Sequence, residues 1–131
     1  MTYQYSAAVR NAKLDAVETA IGVTAVLKIF SGAEPANCAA ADPTGLLVSM
    51  TLPSDWMNAA SAGAKTKLGT WSAAASGGGA GTNAASFRIY ASDGTTCGIQ
   101  GNMTDMILDN NSIASGQVVT VNTFTLTAGN P

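Results

Sequence analysis

The chain of 131 residues contains no histidine and only 14 charged side chains, eight acidic and six basic. Histidine is the side chain most often used for general acid and base catalysis, so its absence removes the commonest catalytic group. Most carboxylates fall in predicted turns or on a predicted helix, where they act as turn formers and solvating groups. A two-carboxylate glycosidase site would require an arbitrary choice of pair. We therefore predict that the protein is not an enzyme and uses no cofactor.

Basic residues are few and scattered, and the formal net charge is -2. Lys65 and Lys67 form the only close basic pair outside the first predicted helix. Alternate spacing in a strand would place both on one solvated face. Binding to nucleic acid requires several Lys or Arg side chains clustered on one face. We therefore expect no nucleic-acid partner.

Long apolar runs are also missing from the sequence. The longest, residues 23–30, is interrupted by Thr24 and Lys28 and is far shorter than the ~20 residues of a membrane-spanning helix. Residues 1–5 lack the basic start and apolar middle of a signal peptide. The sequence thus predicts a soluble protein with no membrane partner, made in a cytoplasm.

Only two cysteines are present, Cys38 and Cys97. Without histidine to complete a four-ligand site, they do not predict zinc or another metal. In a cytoplasmic product such thiols usually stay reduced as small buried groups. A disulfide formed after release into oxidising surroundings is the alternative.

The sequence is instead rich in small and apolar residues, with 47% apolar and 11% charged. Soluble proteins average about 25% charged residues. Because a free monomer normally keeps a charged exterior, this deficit favours a surface that is covered by copies of the chain or by partners. We therefore predict a homo-oligomer.

Residues 6–21 read as an amphipathic helix that Ser6 caps and Gly22 ends. Asp15 and Glu18 lie off its narrow apolar stripe. A helix of this size must pack on a sheet or on another subunit. We predict that this helix, or the loop around Cys38, contacts neighbouring subunits. The candidate contact residues on the helix are Arg10, Leu14, Val17 and Ile21.

After Gly22 the apolar period changes from helical to alternating, which indicates β-structure. Strands are predicted near residues 23–29, 46–52 and 67–71, in a hairpin over 87–103, at 106–108 and over 117–128. A bulge near Asn122 and Thr123 would bring the apolar residues of the last strand to one face. Residues 31–44 form a long loop that we expect to pack on the body. Residues 72–83, with three consecutive glycines, read as a flexible surface loop.

These elements predict a mainly β fold: a β-sandwich or jelly-roll-like body of six to seven short strands with one N-terminal α-helix. We divide the chain into a helix or arm at residues 1–22 and a single β domain at 23–131.

Two further features have a functional and a structural interpretation. The aromatic side chains could form a sugar-stacking platform, although so few in a domain of this size more often fill the core. An oxygen-rich turn could hold calcium, but it lacks the spacing and the bidentate Glu of an EF-hand loop. The aromatic residues of the possible platform are Trp56, Trp71, Phe87 and Tyr90. The oxygen-rich turn contains Asp105, Asp109, Asn110 and Asn111.

Three segments, residues 5–22, 51–57 and 124–130, resemble a group of short structural proteins encoded by tailed bacteriophages and prophages. In this chain the second segment reads Thr-Leu-Pro-Ser-Asp-Trp-Met and the third Phe-Thr-Leu-Thr-Ala-Gly-Asn. The similarity extends over nearly the whole chain and carries no catalytic or binding residue with it.

The resemblance implies a virion protein whose partners are the major capsid protein or other virion subunits. Small β domains with a helix or arm also decorate phage shells, where many weak contacts are multiplied by avidity. We therefore expect a capsid decoration or cement protein. The alternative is a tail, collar or fibre component, including one that binds a host surface or carbohydrate.

Overall fold

The computed structural model describes residues 3–128, which form one helix and ten strands. The helix, α1, is Ala7–Ile21. The strands are β1 (Val26–Phe30), β2 (Leu46–Thr51), β3 (Ala64–Thr66), β4 (Ser72–Ala74), β5 (Thr82–Asn83), β6 (Ser86–Tyr90), β7 (Cys97–Asn102), β8 (Met106–Leu108), β9 (Ser112–Ile113) and β10 (Val118–Thr127). The first two residues of the predicted helix or arm, 1–22, lie outside the described residues. So do residues 129–131 of the predicted β domain, 23–131.

The predicted mainly β body with one leading helix is confirmed. The predicted number of strands, six to seven, is too low. Several strands span only two or three residues, which is too short for an alternating pattern to be visible.

Helix α1 begins and ends where the capping residues predict. The Ser6 hydroxyl accepts a hydrogen bond from the Val9 amide at 3.2 Å. Gly22 adopts a φ of 95°, and its amide donates to the Glu18 carbonyl at 2.9 Å. A positive φ is easily reached by glycine, so the chain turns there from helix to sheet.

Two sheets have four strands each, and the one with more residues in its strands, which we call the larger sheet, is antiparallel with the strand order β2-β1-β6-β7. Leu27 and Ile29 point from β1 into the core, as their alternation predicts. Val23, predicted on the same face, is instead 67% exposed because the strand begins three residues later, at Val26. The predicted β6–β7 hairpin is confirmed, and its turn is fixed by Asp93, whose carboxylate accepts from the amides of Thr95 and Thr96.

Strand β10 is the centre of the second layer. It pairs with β3, β4 and β8, each of only three residues. Its register with β8 shifts between Val121 and Thr123, which confirms the predicted bulge. Because of this shift, Val119, Val121 and Phe124 are all buried.

One hydrophobic core joins the two layers. The ring of Phe87, on β6, meets that of Phe124, on β10, edge to face at a centroid distance of 5.5 Å. Trp71 packs against Phe124 at 5.7 Å, and Trp56 against Trp71 at 6.0 Å. The large aromatic residues thus fill the space between the sheets.

Two predicted elements are wrong. No strand covers residues 67–71, because Gly69 adopts a φ of +76° and the chain turns between β3 and β4. Residues 72–83 are not one flexible loop, since they contain β4, β5 and the buried Ala75, although several of them lie at the surface as predicted. A side chain at Gly77 or Gly78 would place its Cβ 2.2 Å from a backbone carbonyl oxygen, so these glycines permit close packing.

Candidate functional site

Three polar clusters inside the fold are the candidate sites. The first, which we call the loop clamp, holds the 31–45 loop on the larger sheet through Arg88 of β6. The second is the pair Cys38 and Cys97 beside it. The third, the lysine cluster, joins α1 to β3 through Lys65.

The Arg88 guanidinium is the centre of the loop clamp and is only 2% exposed. Nη1 donates to Asp42 Oδ1 at 2.9 Å, and Nη2 donates to the carbonyls of Asn37 and Ala40 at 3.1 Å each. Nε and Nη2 also donate to Gln100 Oε1, at 3.2 and 3.1 Å. The planar guanidinium therefore binds three residues of the loop and one neighbouring strand together.

Two further hydrogen bonds complete the clamp. The Tyr90 hydroxyl donates to Asp42 Oδ1, and Gln100 Nε2 donates to the Pro35 carbonyl at 2.7 Å. Burial, reinforced by the Asp42 carboxylate, raises the pKa of Tyr90 above its usual range. The phenol thus stays protonated and remains a donor. The expectation that the long loop packs on the body is confirmed.

The two cysteines lie together although 59 residues separate them in the sequence. Both thiols are free and half-buried, and the Cys97 thiol donates to Cys38 Sγ at 3.0 Å. Burial and the adjacent Cys38 raise the pKa of Cys97 to about 12. At neutral pH the Cys97 sulfur is therefore a protonated thiol rather than a thiolate nucleophile.

The lysine cluster corrects the prediction that Lys65 lies on a solvated face. Lys65 is 2% exposed, and Nζ lies 2.7 Å from Asp15 Oδ1 and 2.9 Å from Glu18 Oε1. Nζ also donates to the Asn58 carbonyl at 2.8 Å. Asp15 and Glu18, predicted as solvating groups, are thus the partners of a buried cation.

The same carboxylates hold the backbone of the segment before β3. Asp15 Oδ1 accepts from the Ala60 amide at 2.9 Å, and Glu18 Oε2 accepts from the Met57 amide at 3.2 Å. The hydrogen bonds from Lys65 and the Ala60 amide lower the pKa of Asp15. Burial alone would lower the pKa of Lys65, but the two carboxylates outweigh it and raise that pKa above 10.5. The shifts of Asp15 and Lys65 both favour the charged forms of this ion pair.

The helix residues predicted to contact other subunits are mostly used within the chain. Leu14 and Ile21 are 5% and 9% exposed, and Val17 packs against the same core. Arg10 Nη1 donates to the Ala128 carbonyl at 3.4 Å. The apolar stripe faces the chain's own body because Gly98 of β7 leaves room for Ile21. Leu14 and Ile21 thus pack within the chain, and contact of the helix with neighbouring subunits stays a prediction.

The remaining candidates behave as structural groups. Trp56 and Trp71 are fully buried, so neither contributes to an exposed sugar-binding platform. In the predicted oxygen-rich turn, Asp109 Oδ1 accepts from the amides of Asn110 and Thr120. Within residues 3–128, no three His, Cys, Asp or Glu side chains converge on a point that could hold a metal ion.

Two open surface clefts accompany these clusters. The larger, of about 380 Å³, lies between the end of α1 and the segment after β2. Its lining is Glu18, Thr19, Gly22, Val23, Ser54 and Asp55. The smaller, of about 280 Å³, lies beside Gln100 and Asp105 and along β10. Glu18 is already bound to Lys65, so the larger cleft offers Asp55 as its only other charged group among the lining residues.

No protein-family model, curated protein or solved structure matches this chain. No helix among residues 3–128 combines the length and the apolar character needed to cross a bilayer. The interpretation of function therefore depends on the residues themselves and on the resemblance described above.

Proposed function

We propose that the protein is a non-enzymatic structural subunit of a tailed-phage particle, and that it decorates and cements the capsid. Its partners are the major capsid protein or other virion subunits, together with copies of itself. The resemblance of residues 5–22, 51–57 and 124–130 to phage structural proteins supports this proposal.

The observation that carries the proposal is the chemistry of the surface. Lys65 and Arg88 are buried, so two of the six basic side chains are withdrawn from an exterior that already has little charge. Several large apolar side chains are exposed instead. They are Tyr3, Val9, Val23, Leu46, Ile107 and Val118. A surface of this kind favours association with other protein surfaces.

The polar clusters support the same function. Arg88 and Lys65 fasten the long loop and α1 to the β body through several hydrogen bonds each. A subunit whose loop and helix are already fixed loses little conformational freedom on binding. Weak contacts of such a subunit, repeated over a lattice, give tight attachment.

The proposal is tested on particles of a phage that encodes this chain. We expect quantitative mass spectrometry to find hundreds of copies per particle, whereas a few to some tens would indicate a neck, tail or fibre component. Particles that lack the protein should package DNA but lose resistance to heat and osmotic shock. Unaltered resistance would contradict cementing.

Purified protein added back to the deficient particles should restore that resistance. The double variant Ile107→Ser/Val118→Ser removes two exposed apolar side chains from β8 and β10 and should restore it less well. Thr125→Ser, at an exposed position of β10, is the matched control and should behave like the unaltered chain.

A further inference from the structure

The cysteine pair lies where the 31–45 loop meets the larger sheet. Cys38 is in that loop and Cys97 is the first residue of β7. Their sulfur atoms are 3.0 Å apart, and a disulfide requires about 2.05 Å. Forming the bond therefore needs a movement of only about 1 Å.

The surroundings hold Cys38 in place before any bond forms. Arg88 binds the carbonyls of Asn37 and Ala40, on the two sides of Cys38. The Asn37 side chain also accepts hydrogen bonds from the amides of Ala39 and Ala40, at 2.9 and 3.1 Å. On the other side of the pair, Cys97 is fixed by the pairing of β7 with β6.

We propose that Cys38 and Cys97 form an intramolecular disulfide, which fastens the 31–45 loop to β7 when the protein meets a low-molecular-weight disulfide oxidant. This inference does not depend on the proposed function.

The reaction is a thiol–disulfide exchange in two steps. The Cys38 sulfur loses its proton and attacks the oxidant, which releases one thiolate and leaves a mixed disulfide on Cys38. The Cys97 sulfur then loses its proton and attacks Cys38 Sγ, and the second thiolate of the oxidant leaves. The two cysteines lose two electrons and two protons, and the oxidant is reduced to two thiols.

The order of the steps follows from the environment of Cys97. With a pKa of about 12, its thiol is rarely ionised at neutral pH and is a poor initiating nucleophile. In the second step the Cys97 sulfur attacks Cys38 Sγ from within contact distance, so its high local concentration favours formation of the bond.

The test uses the full chain, purified in reductant and then incubated with oxidised glutathione. Intact mass measured under non-reducing, denaturing conditions should show a monomer lighter by two hydrogen atoms. Peptide mapping should join Cys38 to Cys97. Because the bond closes a long loop, the oxidised protein should melt roughly 10 °C higher than the reduced protein, and reductant should reverse the shift.

The variant Cys38→Ser/Cys97→Ser is the matched control and should melt at the same temperature with and without the oxidant. A persistent glutathione adduct, a disulfide-linked dimer, or a bond that forms only in denaturant would overturn the proposal. So would an internal disulfide that leaves the melting temperature unchanged.

Discussion

At the scale of single residues, the interior of this chain differs most from what its sequence suggests. Two of its six basic side chains, Lys65 and Arg88, are almost completely buried. Each is tolerated because oxygen atoms surround its charged group. A buried charge that lost those partners would be strongly destabilising.

The lysine cluster therefore predicts an asymmetry between its members. The double variant Asp15→Asn/Glu18→Gln leaves the buried Lys65 cation without a counter-charge, which should lower the unfolding free energy. Lys65→Met removes the buried charge and leaves carboxylates that reach water, so it should cost less. Urea unfolding of both variants measures the difference. Glu34→Gln, at an exposed position of the 31–45 loop, is the control and should change stability by no more than about 0.5 kcal/mol. Equal losses in the two cluster variants would contradict the prediction.

The same cluster predicts how stability depends on pH. The pKa of Lys65 is raised, so its contribution is complete below 10.5 and is lost as the pH rises through the higher folded value. The pKa of Asp15 is lowered, so its contribution is complete above 3.8 and is lost as the pH falls through the lower folded value. Melting temperatures of the unaltered chain and Lys65→Met should differ by a constant amount near neutral pH and converge in strong alkali. A difference that stays constant into strong alkali would count against the ion pair.

At the scale of elements, long periodic segments were predictable and short ones were not. Helix α1 and strand β10 each span at least ten residues, so their caps, their apolar period and the bulge of β10 are visible in the sequence. Strands β5 and β9 contain two residues each, and only tertiary pairing defines them. A stretch rich in small residues, such as 72–83, occurs both in flexible linkers and in segments that pack closely against a backbone. The sequence alone therefore does not separate the two cases.

The candidate sites were less predictable than the fold. The sequence names Cys38 and Cys97 as a possible pair, but their approach depends on how β1, β6 and β7 align. Neither the loop clamp nor the lysine cluster has a signature in the sequence, because their members are distant along the chain. The one available signal was that Asp15 and Glu18 lie three residues apart on α1, so both can face one cation.

Strand β1 provides a direct test of which side chains face the core. Leu27 is fully buried in it, whereas Val23, just before it, is 67% exposed. Leu27→Ala should cost about 2–5 kcal/mol through lost burial and the resulting cavity. Val23→Ala is the control and should stay within about 0.5 kcal/mol. Chemical denaturation measures both, and a loss below about 0.5 kcal/mol for Leu27→Ala would overturn the assigned facing.

At the scale of the whole molecule, charge and apolar surface are distributed unusually. Ion pairs of the buried cations Arg88 and Lys65 fasten the loop and the helix to the body, while apolar side chains such as Ile107 and Val118 remain exposed on neighbouring strands. The fold is thus rigidified by polar contacts and presents an exterior suited to adhesion. This division supports the proposed function as a structural subunit.

The second layer of the body has a consequence for the order of folding during synthesis. Strands β3, β4 and β8 all precede β10 in the chain, yet β10 is the strand with which each of them pairs. A growing polypeptide contains every strand of the larger sheet once β7 has left the ribosome, but it lacks the core side chains Val119, Val121 and Phe124 until β10 follows. During that interval we expect part of the apolar core to stay exposed to chaperones or to other copies of the chain.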